Sequence, residues 1–317
     1  RTTSFSRVRY FPTAPESSPP WPGSTTAPGR PSPAAAGYTT DPGAAKGCFR
    51  ILLVSLSMKN HSLFEKYRSV IVSFRDVKDR KDLLLEDSGE ERIYYAPFDY
   101  VNPEARLFIV GITPGEIQMN NMLVEAARLI HQGLSDDEVL RRCKAVGSFS
   151  GPMRKNLVEL MDEAGIAEFL DVETTAQLFS NKQELVNLTS CIRYPTFAVK
   201  NGKESNFNAE IKQGTELFEF ASTLTLEELS KAPNAVLLPL GPKVQHYLEK
   251  VVKGTQFENR LLPELPHPSG ANAERIAYFL GRKNKETLSS RTNPEKLDNS
   301  KKNIKKILRS LKTKGSK

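Results

Sequence analysis

The stretch "ARLFIVGITPG", from Ala105 to Gly115, carries the clearest indication of the fold. Its apolar run is short and uninterrupted, which is typical of a strand that is buried on both faces of a sheet. The Gly/Pro turn that follows, Gly111–Gly115, lets the backbone turn tightly and approach a ligand. Ligands bind outside the carboxyl ends of the strands in open α/β sheets, so a binding edge is expected here.

Strand and helix patterns alternate along the rest of the chain. Helices are predicted from Ser62, over Gln118–His131, from Ser135, over residues 151–165 and over Asn272–Leu280, from capping boxes and apolar residues at helical spacing. Three more strands are predicted in "ELVNLTSCI" (184–192), "NAVLLPLG" (234–241) and "NRLLPELPH" (259–267). This alternation predicts an α/β fold with a mostly parallel sheet.

The composition excludes several classes of protein. No apolar run approaches the roughly 18–20 residues that a membrane span needs. The three cysteines, Cys48, Cys143 and Cys191, lie far apart and form no CxxC pair. A zinc or iron–sulfur site held by cysteines is therefore not expected, nor is a secreted disulfide framework. We expect a cytoplasmic, monomeric protein with no metal, no cofactor and no membrane association.

The net charge of +8 lies in the two ends of the chain. Residues 1–57 carry +4 and residues 281–317 carry +10, which leaves −6 for residues 58–280. Residues 1–47 hold nine of the 21 prolines, so we expect residues 1–57 to be a disordered leader. One hypothesis places the native start at Met58, and the alternative makes the leader an organelle transit peptide.

A basic helical tail is predicted over residues 282–317, beyond a folded domain at residues 58–281. Asn293 and Pro294 are typical of a helix start. One hypothesis is that its apolar residues dock on the domain, and the alternative is a basic arm that binds nucleic acid. The apolar face comprises Leu297, Ile304, Ile307, Leu308 and Leu311.

Polar residues lie at or after the ends of three of the predicted strands. Thr113 and Glu116 follow the first, Thr189 lies near the end of the second, and His267 stands between Pro266 and Pro268 at the end of the fourth. A histidine held between prolines at a ligand-binding edge is a candidate for catalysis. Phe149, among small residues in "GSFSGPM", is either a core ring or a ring that stacks on a flat ligand.

Four motifs, in order, resemble those of the uracil-DNA glycosylase superfamily. They are GITPG at 111–115, "FSGPMRKNLVELMDEAGI" at 149–166, "NLTSCIRYP" at 187–195 and HPSG at 267–270. The resemblance covers about residues 100–280. It implies a three-layer α/β/α fold with a central, mostly parallel four-stranded sheet, and DNA with a damaged or mismatched base as the partner.

The resemblance also implies a mechanism. The enzyme would flip a damaged base out of the DNA and hydrolyse its N-glycosidic bond, as in base-excision repair. Thr113 stands where the family offers an acidic or amide residue. The implied catalytic residues are His267, Thr113 and Glu116. The implied base-binding residues are Phe149, Thr189 and Ile112. The implied DNA-backbone contacts are Gly115, Ser269, Gly270, Asn272 and Arg275.

Two other functions remain open from the sequence. The same scaffold could hold a base, a nucleotide or a nucleic-acid end without cutting it. The chain could also be an unrelated α/β enzyme that acts on a small acidic or nucleotide substrate.

Overall fold

The structure of the protein is a computed structural model, which describes residues 62–147 and 152–315. Within these ranges the strands are β1 (Leu84–Asp87), β2 (Glu91–Tyr94), β3 (Leu107–Gly111), β4 (Val186–Ser190), β5 (Thr196–Lys200), β6 (Lys203–Asn206) and β7 (Val236–Pro239). The α-helices are α1 (Ser62–Ser73), α2 (Glu116–His131), α3 (Asp136–Gly147), α4 (Pro152–Glu163), α5 (Ile166–Leu170), α6 (Glu216–Lys231), α7 (Pro242–Val252), α8 (Ala273–Phe279) and α9 (Pro294–Gly315). Short 3-10 helices lie at Val77–Leu83, Thr175–Phe179, Gln183–Leu185, Glu258–Arg260, Gly270–Asn272 and Lys285–Thr287.

A parallel sheet with the order β4-β3-β7 contains the strand that the sequence predicts first. β3 pairs in parallel with both neighbours and occupies the centre. Residues 261–265 continue the sheet beyond β7 through two parallel bridges, Leu237 to Leu261 and Leu240 to Leu265. The carboxyl ends of all four segments therefore lie at one edge.

Helices cover both faces of the parallel sheet, because side chains of β3 alternate between two apolar cores. Phe108 and Val110 belong to one core, with residues of α1, α2, α3, α6 and α7. Leu107 and Ile109 belong to the other, with residues of α4, α5, α8 and α9. A strand that is buried on both sides reads as a continuous apolar run, which is the pattern in the sequence.

A second sheet, antiparallel with the order β1-β2-β5-β6, was not predicted. Its strands are short, and β6 is largely exposed and polar, so they lack a clear apolar alternation. A hairpin signal was nevertheless present. Asn201 and Gly202 join β5 to β6 with φ values of 51° and 72°, as an Asn-Gly hairpin turn requires.

The α/β class that the sequence predicts is confirmed. The prediction of one central, mostly parallel four-stranded sheet is wrong in two respects. The fourth segment, residues 261–265, makes only isolated bridges rather than a regular strand. Four further strands form the separate antiparallel sheet.

The C-terminal helix α9 is a docked element of the domain. It begins at Pro294, and the Asn293 side chain accepts a hydrogen bond from the backbone N–H of Lys296 at 3.0 Å. Ile304 and Leu308 are buried in the second apolar core. The apolar face of α9 therefore packs on the domain, as the first of the two hypotheses from the sequence states.

We expect Leu308→Ala to lower the free energy of unfolding by about 2–5 kcal/mol, because it leaves a cavity in the core under α9. Lys306, exposed on the same helix, supplies the matched control. Lys306→Ala should change the free energy by less than about 0.5 kcal/mol. Equal effects of the two substitutions in urea unfolding would contradict docking of α9.

Candidate functional site

A cleft of about 640 Å³ opens at the edge where the carboxyl ends of the parallel segments meet. Each segment contributes the residues that directly follow it or end it. These are Gly111, Ile112 and Thr113 from β3, Ser190 from β4, Leu240 and Gly241 from β7, and Leu265, Pro266 and His267 from the fourth segment. Distant loops thus meet at one cavity, as the topology requires.

Most of the predicted site residues that the structure describes line this cleft, and three of them do not. Those that line it are Ile112, Thr113, Gly115, His267, Ser269, Asn272 and Arg275. Glu116, Thr189 and Gly270 are not among the lining residues. Phe149 lies outside the described residues, although Met153, at the start of α4, lines the cleft.

The Thr113 hydroxyl is already engaged by the backbone of a neighbouring loop. It donates a hydrogen bond to the carbonyl of Tyr194 at 3.0 Å and accepts one from the N–H of Thr196 at 3.1 Å. A hydroxyl has one donor and two acceptor lone pairs, so a single lone pair remains for a ligand or water. Thr113 therefore ties the GITPG turn to the segment between β4 and β5.

Glu116, the other predicted water-handling residue, lies outside the cleft. Its side chain is about half exposed (51%) and faces Arg80 at 3.5 Å. Its position as the first residue of α2 explains this orientation, since the side chain points outward from the first turn.

Ser190, rather than Thr189, faces the cleft at the end of β4. Successive side chains of a strand point to opposite faces, so only one of the two can do so. The Thr189 hydroxyl instead contacts the buried carboxylate of Glu228. Thr189, which the sequence predicts to bind a base, therefore points away from the cleft, and its neighbour Ser190 lines it.

His267 is partly buried in the wall of the cleft, and its tautomer follows from one contact. The backbone N–H of Ser269 donates to Nδ1 at 3.3 Å. Because an amide N–H can only donate, Nδ1 carries no proton, and the neutral ring carries its proton on Nε2. Burial lowers the pKa of His267 below its usual value, which favours this neutral form.

The HPSG loop is held by hydrogen bonds to the residues that follow the histidine. Asn156, on α4, donates to the carbonyl of Pro268 at 2.9 Å. The side-chain amide of Asn272 donates to the Ser269 hydroxyl at 3.3 Å, and its Oδ1 atom accepts a hydrogen bond from Arg275 at 2.8 Å. Ser269, Asn272 and Arg275 thus form one connected chain beside the cleft.

Gly241 lets the turn after β7 pass close to the histidine. Its φ is +93°, in a region that side chains rarely adopt, and a Cβ there would lie 3.7 Å from the Cβ of His267. Its N–H donates to the carbonyl of Leu265 at 3.0 Å. The loop that carries His267 therefore rests on the end of β7.

Four cations line the cleft, three of which the sequence analysis did not assign to it. Besides Arg275, these are Lys243, Arg291 and Lys296, and the only carboxylate among the lining residues is Glu264. Glu264 forms an ion pair with Lys296 at 2.7 Å. The cleft is thus basic, although residues 58–280 carry a net charge of −6. Arg291 and Lys296 belong to residues 281–317, whose basic character was the available signal for these two cations.

Two amide side chains beside Gly115 were also missed. The Gln118 Oε1 atom accepts the N–H of Gly115 at 2.8 Å. The Asn206 Oδ1 atom accepts the N–H of Glu116 at 3.2 Å. Both residues line the cleft. Asn206 lies 90 residues from its partner along the chain, so local sequence carried no signal for its role.

Neither a metal-binding cluster nor a membrane-spanning helix is present in the described part of the chain. Residues 62–147 and 152–315 contain no group of three His, Cys, Asp or Glu side chains placed to hold a metal ion. Over the same ranges, no helix has the length and apolar character to cross a membrane.

The sequence is 30% identical over 237 residues to the uncharacterized protein YoxB of Bacillus subtilis (strain 168). The match covers 72% of this chain and 91% of YoxB. The chain belongs to the YoxB family. Since that relative is described as uncharacterized, YoxB membership identifies the family without indicating an activity. No protein-family model matches the sequence.

The chain is also similar to solved structures, of which one is described here. The crystal structure of wild-type SMUG2 from Pedobacter heparinus aligns with a TM-score of 0.33 and 17% sequence identity, over 56% of this chain and 74% of that chain. This similarity is too weak to support a conclusion about the fold or the activity of this member of the YoxB family.

The titration of His267 gives a test of its burial. Its pKa in the folded state lies below the ordinary value of 6.5, so the unfolded chain binds this proton first as the pH falls. The stability that His267 contributes is therefore present above pH 6.5 and is lost as the pH falls through the folded pKa. Urea unfolding should show a larger loss on acidification for the wild type than for His267→Gln, and parallel pH profiles would contradict the assignment.

Proposed function

We propose that this protein hydrolyses the N-glycosidic bond of a damaged or deaminated base in DNA. The observation that supports this proposal best is the neutral imidazole of His267 in the cleft wall. Its Nδ1 atom accepts the Ser269 N–H, which leaves Nε2–H as a free donor. The four motifs that resemble the uracil-DNA glycosylase superfamily agree with this choice of reaction. His267 lies in the last of these motifs.

In the proposed reaction the target nucleotide is flipped out of the DNA, and its base enters the cleft. The bond between C1′ of the sugar and the base nitrogen breaks, and both electrons leave with the base. Nε2–H of His267 donates to a carbonyl oxygen of the base, where negative charge accumulates. Such a donor is worth most when it is already oriented, as the Ser269 contact orients this ring.

Water completes the reaction by forming a bond from its oxygen to C1′, and the proton that it loses neutralises the departing base. We propose that Thr113 holds the turn after β3 and offers its remaining lone pair to this water. Ile112, beside it, contributes an apolar wall for the base. Glu116 is left out of the chemistry, because its side chain lies at the exposed start of α2.

The cations of the cleft are proposed to hold the DNA backbone. The loop after His267 and the first turn of α8 would contact phosphates on one side of the cleft. The residues concerned are Ser269, Gly270, Asn272 and Arg275. Arg291 stands beside them, because its carbonyl accepts a hydrogen bond from Arg275 at 2.9 Å. The Arg291 guanidinium has no partner within the described ranges, so it is available to a phosphate.

A binding module that holds a base without cutting it is the second candidate. Two observations favour it: the single carboxylate that lines the cleft, Glu264, is paired with Lys296, and the Thr113 proton is already donated to Tyr194. Base release from oligonucleotides distinguishes the two functions. Retention of DNA without any abasic product would favour the binding module.

The hydrolase proposal predicts that His267→Ala slows base release about 10²–10³-fold, the usual cost of removing one oriented donor. DNA binding should weaken far less, since phosphate contacts remain. Single-turnover cleavage of oligonucleotides that carry uracil, hypoxanthine or a thymine mismatch gives the rate constant, and gel retention gives the affinity.

His246 supplies the matched control for this substitution. It is half exposed on α7 and pairs with Glu210 at 3.1 Å, away from the lining of the cleft. His246→Ala should leave base release unchanged. Equal losses of binding and cleavage in His267→Ala would indicate that the ring is only structural.

The backbone proposal predicts that Arg291→Ala weakens DNA binding and reduces the slope of log affinity against log salt by about 0.9 for a duplex. A single substitution is the proper test, because deletion of residues 282–317 also removes the core residues of α9. Lys302→Ala, at an exposed position of α9 that does not line the cleft, is the control. An unchanged salt slope in Arg291→Ala would exclude a phosphate contact.

A further inference from the structure

The wall of the cleft beside Gly115 consists of two amide side chains whose orientation is fixed. Gln118 and Asn206 come from different elements, α2 and β6. Each uses its carbonyl oxygen to accept a backbone N–H, from Gly115 and from Glu116 respectively. A backbone N–H is always a donor, so the atom facing it must be the amide oxygen.

The remaining atoms of both amides are therefore NH₂ groups. Within the described part of the chain, neither Nε2 of Gln118 nor Nδ2 of Asn206 has a hydrogen-bond partner, and both residues line the cleft. A Cβ placed on Gly115 would lie 3.6 Å from Nδ2 of Asn206, so this donor stands directly at the turn. The wall presents donors to whatever occupies the cleft.

The two hydrogen bonds that Gln118 and Asn206 accept also determine what this wall does not bind. The N–H groups of Gly115 and Glu116 belong to the positive end of α2, where an anion would otherwise bind. Both N–H groups are occupied by side-chain oxygens. The cations of the cleft stand elsewhere, on α7, α8, α9 and the segment that leads into α9. A phosphate is therefore directed to the cations, and the neutral NH₂ wall is left for an uncharged part of the ligand.

We propose that Gln118 and Asn206 determine base specificity by donating to carbonyl oxygens of the flipped base. This inference rests on the proposed function only in taking a DNA base as the ligand. A base with an oxo group at the wall gains a hydrogen bond. A base with an amino group there brings two donors together and leaves both unpaired in a partly buried cleft, which is the strong form of discrimination.

The test is an isosteric reversal. Gln118→Glu keeps an oxygen to accept the Gly115 N–H and replaces the NH₂ group by an acceptor oxygen. Binding is measured with oligonucleotides that differ in one base, either uracil against cytosine or hypoxanthine against adenine. A 2′-fluorine on the target sugar makes the N-glycosidic bond resistant, so that affinity is read without cleavage.

We expect the wild type to bind the oxo base of each pair about tenfold more tightly, the effect of one unpaired donor. Gln118→Glu should abolish or invert that ratio in at least one pair. Gln118→Met, which removes the donor without adding charge, should bring the ratio close to one. Asn206→Asp should act in the same direction as Gln118→Glu.

Gln132→Glu is the matched control, since it adds the same charge at the exposed far end of α2. It should weaken all oligonucleotides equally and leave the ratio unchanged. Equal affinity of the wild type for both bases of each pair would overturn the inference, as would a preserved ratio in Gln118→Glu. A preference that Gln118→Glu reverses, in a protein that releases no base, would support this inference while refuting the hydrolase.

Discussion

Burial of β3 on both faces is the constraint from which the rest of the structure follows. Its neighbours run parallel to it, so each return of the chain must cross a face of the sheet through a helix. Apolar helix faces cover Phe108 and Val110 on one side and Leu107 and Ile109 on the other. All carboxyl-terminal loops then emerge at one edge, and the cleft is a consequence of this connectivity.

Behind the cleft, an ion pair in the core holds the loops in register. Arg193 and Glu228 are both almost fully buried and lie 2.6 Å apart. Burial alone would favour their neutral forms, but the opposite charges outweigh it, so the pKa of Arg193 is raised and that of Glu228 is lowered. The next residue, Tyr194, accepts the Thr113 hydroxyl through its carbonyl. The turn after β3 is thereby tied to a charge pair that cannot be broken without leaving an unpaired charge in the core. The "CIRYP" segment therefore supports the turn that lines the cleft.

How much of this could be predicted from sequence differs by region. The central strand, its turn and the edge position of His267 follow from an apolar run, Gly/Pro punctuation and the topology of parallel sheets. Local pattern could not separate Thr189 from Ser190, because the choice depends on which face of β4 meets the cleft. Gln118 and Asn206 acquire their orientation from backbone N–H groups, one of them 90 residues away, and no pattern records such a contact. The antiparallel sheet was missed because its strands are short and partly polar, even though Asn201–Gly202 is a recognised hairpin signal.

In the proposed function, charged donors of the cleft supply affinity for DNA, and neutral donors supply selectivity for the base. Cations attract any phosphate, whatever base is attached to it, and their contribution falls as salt rises. A neutral amide or imidazole attracts only a correctly placed acceptor, and its hydrogen bond is far less sensitive to salt. If His267 were protonated it would join the cations and bind a phosphate as readily as a carbonyl. Burial holds its pKa low and keeps it in the neutral class with Gln118 and Asn206. In the proposed function, the cleft combines nonspecific capture at its charged side with discrimination at its uncharged side, and the neutrality of His267 keeps the two apart.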